Sequence, residues 1–336
     1  MVKLIKVRVS VSYALLGLFS FFSASGFASS CFEGVDGKDG AQFSYSVSLS
    51  DRKPFQRIEN FNVDTNVAGL LVQSIALDRA HCTWVAAVSL SKKTNSVILA
   101  EFPSGTSGRS YKLYQSETLF SHPQDISASA WGDKTLFWLP SQDRKGVVGF
   151  TLHDGSVHEE FNFALFKTPI KGLSSAVDAR GRYLAVQGYF RQGKDKQQMV
   201  RIYELRQLLD SDSALKFKDV KPIYEWPLDV SQQDSRQWRQ GMAIYGSSLF
   251  VLSGNAKPSQ EKFLVSYELN GRVISVGSLP NSAVGSFKAR KSKTFEPEGL
   301  EVVSYNGEVG IAIGLAGGAK PSRSYELWFV PFKREK

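Results

Sequence analysis

The segment Gln240-Gly-Met-Ala-Ile-Tyr-Gly-Ser-Ser-Leu-Phe-Val-Leu252 contains the pattern that decides the fold of this chain. A polar residue precedes a short run of mainly apolar residues, Gly246-Ser247 provides a turn, and a second apolar run follows. The same phrase occurs five times along the 336 residues, beginning at Gln73, Gln124, Ser174, Gln240 and Glu298. The sequence therefore repeats one strand–turn–strand unit at intervals of 50 to 66 residues.

Each copy continues into a third strand, and helical periodicity is scarce outside a short segment around Glu204 to Leu209. These third strands are Ser96 to Glu101, Val147 to Leu152, Met199 to Leu205, Phe263 to Leu269 and Tyr325 to Val330. A repeat of about 50 residues with three or four strands has the size of a propeller blade. We predict an all-β, five-bladed β-propeller, whose ring is closed by the N-terminal strand Gln42 to Leu49 pairing with the last blade. A pair of β-sandwiches is the alternative.

The first 28 residues have the pattern of a secretory signal peptide. Lys3, Lys6 and Arg8 precede a short apolar run, and small residues lead to Ala28. The run is shorter and richer in serine than a membrane span, which needs about 20 apolar residues. We predict cleavage after Ala28, export to the periplasm or medium, an arm with the closing strand at 29–66, and propeller repeats at 67–336. No later segment is long enough to span a bilayer, so we expect no transmembrane segment in the mature chain.

The two cysteines are interpreted in the light of export. Cys31 follows the predicted cleavage site, and Cys82 lies in the first repeat. In an oxidising compartment two cysteines favour one disulfide, which would tie the N-terminal arm to the body. Acylation of Cys31 is the alternative, although the residues before it form a poor version of the bacterial lipobox.

The charge of the chain is mildly basic. The formal net charge is +9, and loss of the three positive charges of the signal peptide leaves about +6. The densest basic segment is Lys288-Ala-Arg-Lys-Ser-Lys293. It is interpreted either as a solvated loop or as a contact for anionic wall polymer or lipid headgroups. Nucleic acid is not expected as a partner, because no aromatic–basic motif accompanies the charge.

Several short motifs resemble the helveticin J family of class III bacteriocins and the teichoic-acid-biosynthesis protein C-like proteins. The similar motifs are Gln73-Ser74, His122-Pro-Gln-Asp125, Gln240-Gly241, Phe295-Glu-Pro-Glu-Gly-Leu300 and Tyr325-Glu-Leu-Trp328. The resemblance extends over 67–330 as spaced motifs. It implies a β-propeller and a bacteriocin-like role, and it supplies no catalytic motif. The family usually has Gly-His where this chain has Ser121-His122, which weakens a role for His122.

The repeat starts should meet in space, because the inner strands of a propeller run along one shared channel. We predict a ring of polar groups at one channel mouth, suited to a ligand held by several hydrogen bonds. The predicted ligand-binding residues are Gln73, Gln124, Ser174, Trp238, Arg239, Gln240 and Glu298. Catalytic candidates are Glu296, Glu298, Asp125 and His122, since two carboxylates on one side of an extended segment could act as an acid/base pair. The alternative is that these groups only satisfy backbone groups and form salt bridges.

The sequence thus favours an exported propeller that binds a cell-envelope glycan or anionic polymer. One alternative is a hydrolase or lyase acting on such a polymer through the carboxylate pair, and another is a protein-binding scaffold. The chain has no Gly-x-Ser-x-Gly, His-Glu-x-x-His or Cys-x-x-Cys motif. We predict no cofactor and no metal ligand set, with a divalent cation in the channel as the alternative.

Overall fold

The repeats found in the sequence form five blades of four antiparallel strands each. The computed structural model of the protein describes residues 43–44, 54, 56–59, 71–89, 97–103, 111–116, 119–121, 124–192, 195–210, 220–228, 238–257, 260–279, 295–317 and 324–334. Strands dominate these residues because Val, Ile, Phe, Tyr and Trp recur at alternate positions between Gly, Asp and Asn turns. The predicted all-β, five-bladed propeller is confirmed.

The elements follow one another along the chain in the order of the blades. In chain order they are β1 (Phe43–Ser44), β2 (Gln56–Glu59), β3 (Leu71–Asp78), β4 (Thr83–Ser89), β5 (Val97–Pro103), β6 (Lys112–Ser116), β7 (Ser127–Trp131), β8 (Lys134–Pro140), β9 (Gly146–His153), β10 (Ser156–Ala164), β11 (Lys171–Val177), β12 (Tyr183–Gln192), β13 (Asp195–Glu204), α1 (Leu205–Leu209), β14 (Tyr224–Pro227), β15 (Trp238–Tyr245), β16 (Ser248–Gly254), β17 (Lys262–Glu268), β18 (Val273–Leu279), β19 (Phe295–Tyr305), β20 (Glu308–Gly317), β21 (Ser324–Pro331) and β22 (Lys333–Arg334). Helix α1 is the short helix expected from the sequence.

Each blade is a meander that starts at its innermost strand. The first four blades contain β3 to β6, β7 to β10, β11 to β14 and β15 to β18, and the fifth has the order β19-β20-β21-β2. The first and second blades are also joined at their outer edges, because β6 and β10 pair in parallel through Gln115 and Ser156. The innermost strands β3, β7, β11, β15 and β19 are therefore the first strands of the five sequence repeats.

An N-terminal strand closes the ring, as predicted, but the predicted segment was wrong. Strand β2, Gln56–Glu59, pairs antiparallel with β21, so that Gln56 lies opposite Leu327 and Glu59 opposite Ser324. Within the predicted segment Gln42 to Leu49, only Phe43–Ser44 is described, and it pairs with Lys333–Arg334 beyond the blade. Pairing of the first part of the chain with the last blade links the two ends, so that closure does not rest on side-chain packing alone.

Five buried apolar clusters hold the blades together, one between each pair of neighbours. The cluster between the last and first blades, for example, contains Ile75 and Trp84 from the first blade and Val303 and Leu327 from the fifth. Fully burying one such side chain stabilises the fold by about 1.5–3 kcal/mol. Because this cluster joins the last blade to the first, apolar packing continues around the whole ring.

Two glycines allow the inner strands to come close together at the axis. A Cβ atom on Gly299 would lie 3.0 Å from the Ile75 nitrogen and the Ser74 Cα, and Gly299 has φ +103°. A Cβ atom on Gly241 would lie 3.0 Å from the Leu300 nitrogen. Both positions face backbone of another inner strand, which cannot move aside cheaply. Backbone contact between the first, fourth and fifth inner strands therefore depends on glycine.

Candidate functional site

The pairing between the innermost strand and the second strand of a blade is irregular near the start of the innermost strand. The register between the first and second strands of a blade shifts between Val72 and Ser74, between Arg239 and Gly241, and between Pro297 and Leu300. Such bulges redirect side chains and are common beside functional sites. In this protein they lie where the sequence repeats begin, so Gln73, Gln240 and Glu298 are bulge residues or their neighbours.

The first strand of the third blade also has a bulge, but the bulge lies one residue earlier relative to the predicted repeat start. Its register changes between Lys171 and Ser174. Ser174 is thus the first regularly paired residue after the shift, as Ser74 is in the first blade. The third repeat therefore begins one residue earlier than we predicted, and Ser174 corresponds to Ser74 rather than to Gln73.

Four of the predicted ring residues make side-chain hydrogen bonds at one end of the channel, in two separate sets. The Gln73 amide donates from Nε2 to Glu298 Oε1 at 3.2 Å. The Gln240 amide donates to Glu296 Oε1 at 3.0 Å, and its Oε1 accepts from Gln124 Nε2 at 3.3 Å. The Gln73–Glu298 bond is buried, whereas Gln124 and Glu296 are half-buried. We call these five residues the mouth network: Gln73, Gln240 and Glu298 are buried, and Gln124 and Glu296 are within reach of solvent.

Asp125 lies on the inner side of this network and is bonded to the protein itself. Its Oδ1 accepts from the Met242 backbone amide at 2.9 Å. Burial raises the pKa of Asp125 well above its ordinary value, while hydrogen bonds from the Met242 amide and the Ser174 hydroxyl lower it. A bond of the same kind joins Ser74 Oγ to the Ile126 amide at 3.0 Å. These side chains satisfy amides of another inner strand, which is the structural alternative considered for the ring.

Two buried cations lie on strands of the fourth blade, Arg239 directly before Gln240 in β15 and Lys262 at the start of β17. Arg239 and Lys262 are 7% and 1% exposed. Lys262 Nζ donates to the carbonyl oxygens of Lys257 at 3.0 Å and Gln260 at 2.9 Å. Burial lowers the pKa of Lys262 to about 8, and the nearby charge of Glu296 opposes that shift. Burial likewise lowers the pKa of Arg239. The mouth thus combines amides and carboxylates with one buried cation, Lys262, which interacts with Glu296.

The carboxylate pair is divided between two sets of partners. Glu296 is half-buried and bonded to Gln240, whereas Glu298 is 2% exposed and bonded to Gln73. The backbone carbonyl of Glu298 also accepts the Tyr325 hydroxyl. Of the two carboxylates, Glu296 is the one that solvent or a ligand reaches more easily.

Some predicted site residues fall where the structure gives no description. His122 and Cys31 lie outside the described residues, as does the signal peptide. Trp238 begins β15 opposite Gly254, and its side chain is not among those described. Cys82 is disulfide-bonded and has φ 52°. Its pairing with Cys31 stays a prediction.

A second concave site, which the sequence did not reveal, lies at the opposite end of the ring between the first and second blades. This cavity of about 430 Å³ is referred to as the interblade cleft. Its lining includes Asp78, His81, Glu101, Lys112, Asp133 and Asp154. These residues come from strand ends and turns rather than from a motif. The sequence signal that could have found them is an acidic residue at the end of the inner strand of the first blade, Asp78, and in the β7–β8 and β9–β10 turns of the second blade, Asp133 and Asp154.

The cleft walls are ordered by hydrogen bonds to carboxylates. Asp78 accepts from the Thr135 hydroxyl at 2.7 Å and lies 3.0 Å from His81 Nδ1. The hydrogen bond to Asp78 is the main reason why the pKa of His81 is raised. Glu101 accepts from the Thr83 and Tyr114 hydroxyls, both at 2.7 Å.

Among the described residues, no group of three or more His, Cys, Asp or Glu side chains is arranged to hold a metal ion. In the same part of the chain, no helix is long and apolar enough to cross a membrane.

Comparison with known proteins supports the fold and goes no further. No family model matches the sequence, and no curated protein matches it. The chain is similar to the tail fiber of Staphylococcus aureus phage P68, with 13% identity and a TM-score of 0.55 over 83% of this chain. It spans about half, 52%, of that tail fiber chain.

Two further solved structures have lower scores. They are MPT-4, a mannose phosphorylase from Leishmania mexicana (9% identity, TM-score 0.41, covering 82% of this chain and 88% of that one), and the Nup133 β-propeller domain of Vanderwaltozyma polyspora (9% identity, TM-score 0.38, covering 77% and 71%). The class that the architecture defines is a five-bladed β-propeller.

Proposed function

We propose that this protein is an exported propeller that binds a cell-envelope glycan or anionic polymer at the channel mouth. The observation that carries the proposal is the mouth network, in which the amide of buried Gln240 bridges the half-buried side chains of Gln124 and Glu296. Fixed amides and carboxylates of this kind suit a polyhydroxylated ligand, because each hydroxyl can donate one hydrogen bond and accept another.

Charge at the same mouth favours an anionic ligand. The buried Lys262 interacts electrostatically with Glu296, Arg239 directly precedes Gln240, and β19 follows the basic segment Lys288 to Lys293 in the chain. Cations that stand close to hydrogen-bonding groups favour phosphate or carboxylate groups spaced along a polymer. A helveticin J-like or teichoic-acid-biosynthesis protein C-like role belongs to this proposal and rests on the sequence motifs.

Export is part of the proposal. The signal-peptide pattern of the first 28 residues and the disulfide state of Cys82 both support an oxidising compartment, since cytosolic proteins seldom keep structural disulfides. After export, the polymers that surround the protein would be those of the cell envelope.

Binding is favoured over catalysis by the burial of Glu298. A general acid or base must reach the proton that it transfers, and Glu298 is 2% exposed and bonded to Gln73. With only Glu296 near solvent, the two carboxylates do not both face a substrate.

The test is a binding screen with purified residues 29–336 against wall teichoic acid, lipoteichoic acid, peptidoglycan and lipopolysaccharide. We expect one anionic polymer to bind, with affinity that falls as salt rises. Gln240→Ala should weaken that binding about tenfold or more, because it removes the bridge between Gln124 and Glu296. Gln207→Ala on α1 is the matched control and should bind as the wild type does. Absence of binding to every polymer, or equal loss in both variants, contradicts the proposal. Turnover of a polymer would instead support the hydrolase or lyase.

A further inference from the structure

We propose that the interblade cleft is a second ligand site, which takes a sugar unit that carries a protonated amine. The observation that carries this inference is the cavity itself, about 430 Å³ between the first and second blades. Pockets of about 300–1,000 Å³ accommodate small ligands or single units of a polymer. The inference does not depend on the proposed function of the channel mouth, which lies at the opposite ends of the inner strands.

The cleft is a built feature of this ring. Its two walls belong to neighbouring blades, and their outer edges are tied where β6 and β10 pair through Gln115 and Ser156. Among the described blades, this is the one pair of neighbours whose strands share a sheet. The pairing prevents the two walls from separating at their outer ends, so the cavity keeps its shape.

The inner part of the cleft presents carboxylates that are already oriented. Asp78 is 4% exposed and accepts from the Thr135 hydroxyl, and Glu101 is held by the Thr83 and Tyr114 hydroxyls. These hydrogen bonds hold both carboxylates in place, and His81 Nδ1 lies 3.0 Å from Asp78 as well. A cationic group that enters the cleft therefore meets acceptors that need no rearrangement.

The rim adds two exposed carboxylates, Asp133 and Asp154. Within the described part of the chain, Asp133 has no ion pair, and Asp154 pairs only with His153, at 3.0 Å. Together with Asp78 and Glu101, they outnumber the two lysines of the lining, Lys112 and Lys134, by four to two. Carboxylates therefore exceed lysines in the lining, in contrast to the buried lysine at the channel mouth, so an amine is favoured over a phosphate.

The remaining lining groups select a sugar rather than a simple amine. The lining includes the Thr135 and Thr151 hydroxyls, which donate to Asp78 and Glu160 and can still accept a hydrogen bond from a sugar hydroxyl, and the small exposed edges of the Tyr114 and Phe137 rings. Lys112 lies over the Tyr114 ring, 4.9 Å from its centroid. Aromatic surface beside hydroxyls and charges suits a pyranose ring, which has apolar faces and polar edges.

The experiment is calorimetric titration of residues 29–336 at pH 7 with two probes, a β-1,4-linked glucosamine tetramer and its N-acetylglucosamine counterpart. The amine form should bind at least tenfold more tightly, because acetylation removes the charge. Asp133→Asn combined with Asp154→Asn should reduce binding of the amine form at least tenfold. The matched control Glu308→Gln, an exposed carboxylate in the hairpin of the fifth blade, should leave it unchanged.

The following results of the same titrations would contradict this inference. Equal binding of the two tetramers overturns the choice of an amine, and loss of binding in Glu308→Gln would show general charge attraction. No binding of either tetramer, or binding that the double variant retains, overturns the cleft as the site. Gln240→Ala should keep the glucosamine tetramer bound, so a failure of the channel-mouth proposal is distinguishable from a failure of this one.

Discussion

Replacing Gly299 by alanine should destabilise the ring far more than the same change at Gly307. Both glycines belong to the β19–β20 hairpin and both have positive φ, +103° and +77°. The space around them differs. A Cβ atom on Gly299 would lie 3.0 Å from backbone atoms of Ser74 and Ile75, whereas nothing lies within 4 Å of a Cβ atom on Gly307.

The magnitude follows from two separate costs. A non-glycine residue in a sparsely populated backbone region costs about 1–3 kcal/mol, and both variants incur a cost of this kind. Forcing an extra methyl against packed atoms costs about 1–3 kcal/mol more, and only Gly299→Ala incurs it. The atoms in the way are backbone of the first inner strand, so the contact between the fifth and first blades must open. Together the two costs predict that Gly299→Ala loses about 2–6 kcal/mol of stability.

The assay is urea unfolding followed by tryptophan fluorescence, with thermal unfolding as a second measurement. For a chain of this size, 1 kcal/mol corresponds to about 2–4 °C in Tm. Gly299→Ala should therefore unfold several degrees below Gly307→Ala. Equal unfolding midpoints would refute the reasoning, because the inner strands would then not be in backbone contact at the axis.

Further predictions concern buried charges and the disulfide. Arg79→Met should destabilise the fold by about 3–5 kcal/mol, because it leaves Glu301 buried without a cation. The two side chains are 2.9 Å apart and link the first blade to the last. An unchanged urea midpoint would contradict this prediction. The pKa of Lys262 is lowered to about 8 in the folded protein, so between pH 8 and 10.5 this residue binds fewer protons in the folded than in the unfolded state. As pH rises through that window, the wild type should therefore gain up to about 3 kcal/mol of stability relative to Lys262→Met. Parallel pH profiles of the two proteins would disprove that sign. Reduction of the disulfide of Cys82 should lower stability by about 2–4 kcal/mol, measured as the shift in urea midpoint with and without reductant, and no shift would show that the bond does not constrain the unfolded chain.

The blades could be predicted from the sequence because their signals are local. Alternating apolar residues and turn pairs such as Gly246-Ser247 and Asn306-Gly307 define each hairpin, and their recurrence defines the ring. The closing strand could not be identified in this way. Gln56–Glu59 is short and polar, and its pairing with β21 joins distant parts of the chain, whereas Gln42 to Leu49 has the stronger alternation.

The candidate sites were predictable to a different extent. The convergence of Gln73, Gln124, Gln240 and Glu298 follows from repeat register alone, because equivalent positions of equivalent strands meet at one end. The bulges were not visible in the sequence, because a one-residue shift leaves the apolar alternation almost unchanged. For this reason we predicted the start of the third repeat one residue too late. The interblade cleft was missed because its residues share no strand or motif.

The most direct test of the channel mouth as the binding site is hydrogen–deuterium exchange of the full mature chain with and without the polymer that binds it. We predict slower exchange in peptides from the starts of β15 and β19, which contain Gln240 and Glu296, and no change in the outer strands β14 and β18. Protection confined to the outer strands, or to the interblade cleft at the opposite end, would contradict the account.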